Sequence, residues 1–259
     1  MNIIIPMVGS GLRFKTSGFT RPKPLIMVAD KPMYRQAVDS LPLHLANPLI
    51  FIIKDDEFST LLTEDIRTHY HAFYPCIINL KEDTRTLAET LLTAVPYLNL
   101  QLPSLIHNCD THIQVYFNWQ ILLEWQIDGA LLLYHSHDPS LLFAEVDDQD
   151  FKVKSLRQKI IANNALLDTF FIKNTHQLIP LLSEVKAGEN RGNNPLFEVY
   201  QKMIEDEHYI IPLWVKKALH FGTPQSLVYS LNQILLRPLH FQQLFLEPKG
   251  LKKNIFLNE

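Results

Sequence analysis

Cysteine is scarce in this chain: Cys76 and Cys109 are the only two among 259 residues. Two thiols without a paired spacing build neither a disulfide scaffold nor a zinc site, so a reducing compartment is the simpler setting. Positive charge is also in short supply, with 24 Lys and Arg against 27 Asp and Glu, a formal net charge of -3 and a pI near 6.4. That balance excludes bulk attraction to nucleic acid or to an anionic membrane, both of which need a basic face. Long apolar runs are missing too. The opening stretch from Met1 to Val8 is apolar but short, has no basic flank and runs into Gly9, so it reads as a buried strand and not as a signal peptide. No other stretch approaches a membrane span, and the chain reads as cytoplasmic. No internal repeat, low-complexity tract or linker is visible.

What is present suffices for a sizeable core. With 47% hydrophobic and 20% charged residues, the chain fits one domain or one domain with a small elaboration. Short apolar runs at Ile3 to Met7, Leu49 to Ile53, Cys76 to Asn79 and Leu105 to Asn108 read as strands. Between them, helical patterns cover Met33 to Leu41, Glu57 to His69 and Thr86 to Ala94. This alternation predicts an α/β fold with a mainly parallel sheet and helices on both faces. From Gly129 the runs change character. Strands are expected at Ala130 to Tyr134, Leu142 to Val146, Phe151 to Val153 and Leu166 to Ile172, as an antiparallel extension of the same sheet. Helices follow at His176 to Val185 and Leu196 to Glu205, with a polar loop from Lys186 to Asn194 between them. At Gly222-Thr223-Pro224 a further helix start is signalled: Thr223 can cap free backbone donors and Pro224 suits the first helical position.

The chemistry concentrates after the first strand. Gly9-Ser10-Gly11-Leu12-Arg13 is followed by Arg21-Pro22-Lys23-Pro24, and the window from Gly11 to Arg35 sets Arg13, Lys15, Arg21, Lys23, Lys31 and Arg35 against one acid, Asp30. Glycines let main-chain donors approach phosphate oxygens, and Arg13 and Lys23 supply charge. A cationic loop at the carboxyl end of the first strand is where open α/β sheets bind ligands. The alternative is a solvated surface loop. Two other glycine loops are excluded: the dinucleotide fingerprint needs a glycine where Phe14 stands, and the Walker loop needs Gly-Lys-Ser/Thr.

On Gly9, Gly11, Arg13, Lys23 and Pro24 the chain resembles the nucleoside-triphosphate transferase family, the sugar-phosphate nucleotidyltransferases. The likeness runs over most of residues 1 to 235 and is nearest to a bacterial branch associated with capsule and lipopolysaccharide genes. That branch includes cytidylyltransferases with phosphorylated non-sugar acceptors. The resemblance implies a Rossmann-like three-layer α/β/α mixed sheet of the glycosyltransferase-A type. It also implies a domain over 1-235, with a nucleotide-binding half at 1-128 and an acceptor-binding half at 129-235, followed by a tail at 236-259. By the same resemblance Met7, Val8, Gly9, Ser10, Gly11, Ala88 and Asn108 would bind the nucleotide and Lys159 the acceptor. Asp110, after the apolar run Leu105 to His107, would hold magnesium, with manganese as the alternative; a turn aspartate is the plainer reading.

The chain departs from the resembling pattern at three places. His220 stands where similar proteins carry a second metal-binding aspartate, two residues before Gly222, and it binds manganese or zinc, contacts phosphate, or simply packs. Gln158 replaces the acid of a Glu-Lys pair. Thr84 to Thr90 lacks the glycine that opens the base-reading helix. The expected reaction joins a nucleoside monophosphate from CTP or another nucleoside triphosphate to a small phosphorylated acceptor and releases pyrophosphate. Arg13, Lys23 and Asp110 are the catalytic candidates, and a homodimer is compatible with the pattern. The competing readings are a non-catalytic nucleotide or phosphometabolite sensor and a glycosyltransferase of similar fold. His135-Ser136-His137-Asp138 reads as a solvated edge, and Cys109 as a small buried residue.

Overall fold

Every residue of Asn2–Met7 is buried, and this run forms β1, the strand around which the parallel part of the sheet is laid. The computed structural model describes residues 1–139, 141–158, 163–187 and 195–235. After β1 come α1 (Leu12–Thr16), β2 (Met27–Val28), β3 (Lys31–Pro32), α2 (Met33–Val38), β4 (Leu49–Lys54), α3 (Ser59–Tyr70) and β5 (Cys76–Leu80). Then follow α4 (Leu87–Leu92), β6 (Ser104–His107), β7 (Thr111–Val115), α5 (Gln120–Glu124), β8 (Gly129–His135), β9 (Leu142–Asp147) and β10 (Lys152–Gln158). The described part closes with β11 (Asn164–Ile172), α6 (Thr175–Ala187), α7 (Pro195–Glu205), β12 (Ile210–His220) and α8 (Pro224–Leu235).

Among the described residues the main sheet has ten strands, in the order β5-β4-β1-β6-β11-β8-β12-β7, with β9 bonded to β11 and β10 to β9 off that path. β1 runs parallel to β4 and β6, β4 to β5, and β8 to β12. β11 is antiparallel to β6 and β8, so the sheet is mixed and the fold is α/β. β9 and β10 form the antiparallel extension. Two strands of the main sheet were not foreseen, nor was the short pair of β2 and β3. β12 contains Pro212, a residue that argues against a sheet interior because it cannot donate to a ladder. β7 is a short run, Thr-His-Ile-Gln-Val, whose polar residues mask its alternation.

The residues divide into two compact units, each drawn from three chain segments. The first comprises Met1–Val8, Pro42–Asn108 and Gln114–Lys217; the second comprises Gly9–Leu41, Cys109–Ile113 and Ala218–Glu259, described here to residue 235. The expected tail at 236-259 lies outside the described residues. In the first unit, β-branched and aliphatic side chains of Ile4, Ile50, Ile52, Ile106 and Leu131 pack with α4, α6 and α7 in one core. α3 buries Leu62, Ile66 and Tyr70, one face at four-residue spacing. The second unit has its own core, of Phe14, Ile26, Val28, Met33, Leu219, Phe221, Leu227 and Leu231.

Tyr200 on α7 pins that helix to the sheet. Its ring is fully buried against Phe170, and its hydroxyl donates to the Phe171 carbonyl at 2.6 Å. Burial holds the phenol well above its ordinary pKa, so it remains a donor throughout the accessible range. Tyr200→Phe should lower unfolding free energy by about 1 kcal/mol, read from urea denaturation, because one buried hydrogen bond is lost while the ring packing stays.

Candidate functional site

The chain leaves β1 at Val8 and turns into α1 through Gly9, Ser10 and Gly11, with Gly9 and Ser10 exposed. Gly11 sits at φ 62°, ψ 22°, the left-handed region that costs a residue with a Cβ, and its carbonyl accepts from the Phe14 and Lys15 amides. A Cβ on Gly11 would also stand 3.4 Å from the Lys23 Cβ. The loop and Lys23 are therefore close neighbours, and glycine permits it. Phe14 anchors α1, being 1% exposed and edge-on to Phe19 at 5.1 Å between ring centroids. Burial of a side chain this size is worth about 1.5–3 kcal/mol, enough to fix the short α1 despite its few helical bonds. Arg13 and Lys15 flank Phe14 in sequence and are exposed.

Lys23 opens a single 3₁₀ turn with Pro24 and Leu25, both buried, and Pro22 precedes it in extended backbone. Two prolines and a buried leucine fix where this lysine leaves the chain. Its Nζ donates to Oδ2 of Asp110 in a partly buried ion pair, the two side chains being 22% and 14% exposed. The Asp110 carbonyl accepts from the Phe221 amide at 2.8 Å. One residue on, a Cβ at Gly222 would come 2.7 Å from Asp110 Oδ2, closer than real Cβ contacts allow. The sequence marked Gly222 only as part of a helix start. Its tighter role, leaving room for a carboxylate more than a hundred residues away in the chain, arises from the tertiary path alone. The helix start itself is as expected: Thr223 Oγ1 accepts from the Ser226 amide at 3.0 Å, and Ser226 Oγ accepts from the Thr223 amide at 3.0 Å.

His220 ends β12 and its backbone carbonyl accepts from Ser230 Oγ at 2.7 Å. Its Nε2 is buried, and burial lowers the imidazole pKa, opposed in part by the Asp110 carboxylate. Cys109, beside Asp110, is buried and its thiol is pushed up to about 12 by desolvation. It is a protonated thiol at neutral pH and no nucleophile.

The remaining candidates belong to the first unit or lie outside the described residues. Met7 closes β1 and is buried; Val8 packs on the core that contains Ala88. Ala88 is fully buried in α4, and its methyl is a packing group. Asn108 follows β6, and its amide donates to the Asp168 carbonyl at 3.3 Å. The segment without the expected glycine is a capped helix start. Thr86 Oγ1 accepts from the Glu89 amide at 3.2 Å, Glu89 Oε2 accepts from the Arg85 amide at 2.6 Å, and Thr84 and Thr90 share a hydroxyl contact at 2.6 Å. Lys159 lies outside the described residues. His135 and His137 are both exposed, and β8 ends at His135, so the two do not share a strand.

Among the described residues no group of three or more His, Cys, Asp and Glu side chains could by itself hold a metal ion. Asp110 offers a carboxylate oxygen donor and His220 a borderline nitrogen donor. The chemistry of these two donors is compatible with a divalent cation only if its other ligands come from outside the polypeptide. No helix among the described residues is long and apolar enough to cross a membrane.

This mixed sheet is shared with nucleotide-sugar pyrophosphorylases and nucleotidyltransferases of known structure. A nucleoside-diphosphate-sugar pyrophosphorylase from Vibrio cholerae RC9 superposes with a TM-score of 0.78 at 20% identity, over 89% of this chain and 100% of that one. A UDP-glucose pyrophosphorylase complexed with UDP-glucose gives 0.72 at 15% identity, over 91% and 98% of the two chains. An inositol-1-phosphate CTP transferase from T. maritima gives 0.67 at 12% identity, over 90% and 96%. No family model and no curated protein matches the sequence.

Gly222→Ala should displace the Asp110 carboxylate and break its pairing with Lys23. Overpacking of this kind costs about 1–3 kcal/mol, and a Tm unchanged from wild type would contradict the close approach.

Proposed function

We propose that this chain is a nucleotidyltransferase that moves a nucleoside monophosphate from a nucleoside triphosphate to a small phosphorylated acceptor, a sugar phosphate or similar, and releases pyrophosphate. One observation carries the reading. Within a single compact unit, Lys23 adjoins the Gly9 to Gly11 loop and pairs with Asp110, for which Gly222 leaves space. The likeness of the fold to nucleotide-sugar pyrophosphorylases and to an inositol-1-phosphate CTP transferase supports it. Supply of building blocks for surface polysaccharide, in the cytoplasm, follows from the family resemblance.

In the reaction an acceptor phosphate oxygen bonds to the α-phosphorus while the bond to the bridging oxygen of the β-phosphate breaks, and that oxygen leaves with pyrophosphate. Such chemistry asks for positioning and charge stabilisation. Backbone donors from Gly9 to Gly11 face phosphate oxygens, exposed Arg13 holds the leaving phosphates, and Lys23 stabilises charge on the phosphoryl group in transfer. A magnesium or manganese ion on Asp110, with His220 as a second donor, would neutralise phosphate charge when bound. Lys159 remains the acceptor candidate.

Gly9 separates binding from folding. No described atom lies within 4 Å of where its Cβ would stand, chain neighbours aside, so glycine there serves open space above the backbone. Gly9→Ala should leave the Tm within a degree or so of wild type, as a surface change does, and weaken nucleotide binding in calorimetric titration; unweakened binding would remove Gly9 from the site. Lys23→Ala should cut turnover by about tenfold or more in a pyrophosphate-release assay. That assay would use each nucleoside triphosphate, magnesium or manganese, and a panel of sugar phosphates, phosphocholine-like and phosphoamino-acid acceptors. His220, in place of a carboxylate, favours a second reading as a nucleotide sensor. Nucleotide binding without pyrophosphate release under any of these conditions would select it.

A further inference from the structure

Charge at the site is unusually even. The site offers one carboxylate, Asp110, and one imidazole, His220, which carries no negative charge at neutral pH. The one carboxylate is already engaged by Lys23. Both partners are held: Lys23 by the turn of Pro22, Pro24 and Leu25, and Asp110 by its backbone bond from Phe221 and by the fit of its carboxylate against Gly222. A bare cation approaching Asp110 Oδ2 meets an ammonium already bonded to that oxygen. To bind, it must displace a partly buried lysine from the oxygen it already holds.

A cation arriving on nucleotide phosphates meets a different balance. The phosphates bring negative charge and acceptor oxygens to the loop that adjoins Lys23, so the ammonium exchanges a carboxylate for a phosphate and loses no partner. We propose that Lys23 is the built-in counter-cation of Asp110, so that this site refuses free divalent cations and accepts them only as the complex with a nucleoside triphosphate. The inference rests on the transferase reading of the same site and adds a loading rule to it: metal and nucleotide enter together.

The test reads metal occupancy without turnover. Free Mn²⁺ is titrated into the full chain and followed by the electron paramagnetic resonance of the unbound ion, first without nucleotide. Wild type should take up Mn²⁺ weakly, whereas Lys23→Met and Lys23→Gln, which free the carboxylate, should bind it about tenfold more tightly, as expected when a held counter-charge is removed. Lys23→Arg should stay weak, since it keeps the charge, and the double variant Lys23→Met/Asp110→Asn should lose the gain. Equal affinity in wild type and Lys23→Met, whether weak or tight, overturns the proposal. Repeating the titration with a nonhydrolysable nucleoside triphosphate should restore Mn²⁺ uptake in wild type. Nucleotide binding is measured separately by calorimetry in magnesium. Its absence overturns the transferase reading, whereas nucleotide binding with no gain in the Lys23→Met variant overturns only the counter-cation role.

Discussion

The second unit depends on one carboxylate. Its three chain segments share no continuous backbone, and Asp110 is a residue at which all three meet. The segment 9–41 reaches it through the Lys23 ammonium, its own segment carries it out of β6, and the segment beginning at 218 reaches it through the Phe221 amide and the bare Cα of Gly222. Removing one partner from such a partly buried pair leaves a charge in a poor solvent, which costs more than the pair contributes. The apolar packing of Phe14, Met33, Phe221 and Leu231 closes the unit, but it is nondirectional; Asp110 gives the three segments a register.

The glycines divide the remaining work. Gly11 serves the backbone, whose left-handed turn lets Lys23 approach. Gly222 serves the carboxylate. Gly9 serves neither, having no near neighbour among the described residues, which is the open space the proposed nucleotide contact requires. This separation ties structure to function more firmly than the presence of a glycine motif does, since a motif does not say which of its members folds the chain and which receives a ligand.

Much of the fold was legible because local pattern and tertiary demand agree. Runs such as Leu49 to Ile53 are fully buried in the sheet, and they read as strands without context. The glycine loop and Lys23 stood out by composition and spacing, and Asp110 only through the family resemblance; the structure brings Lys23 and Asp110 together. β12 was not, because Pro212 and the pair Lys216 and Lys217 break the apolar signal that its parallel pairing with β8 then overrides. The roles of Gly222 and of the capped segment from Thr84 to Thr90 were hidden for another reason. Each depends on where a second side chain ends up, and sequence spacing carries no information about that. The division into two interleaved units was equally invisible, since it follows contacts and not the order of the chain.

That interleaving bears on how the protein comes into being. A ribosome delivers Lys23 early and Asp110 midway, but Phe221 and Gly222 emerge only when most of the described chain has been made. Contacts of such long sequence separation form slowly, after loop closure has been met. The first strands can collapse on the nascent chain while the carboxylate still has only its lysine. A site assembled from three segments far apart in the chain is thereby a seal on synthesis: a product cut short before Phe221 carries the glycine loop but lacks the amide and the open Cα that hold Asp110 in place.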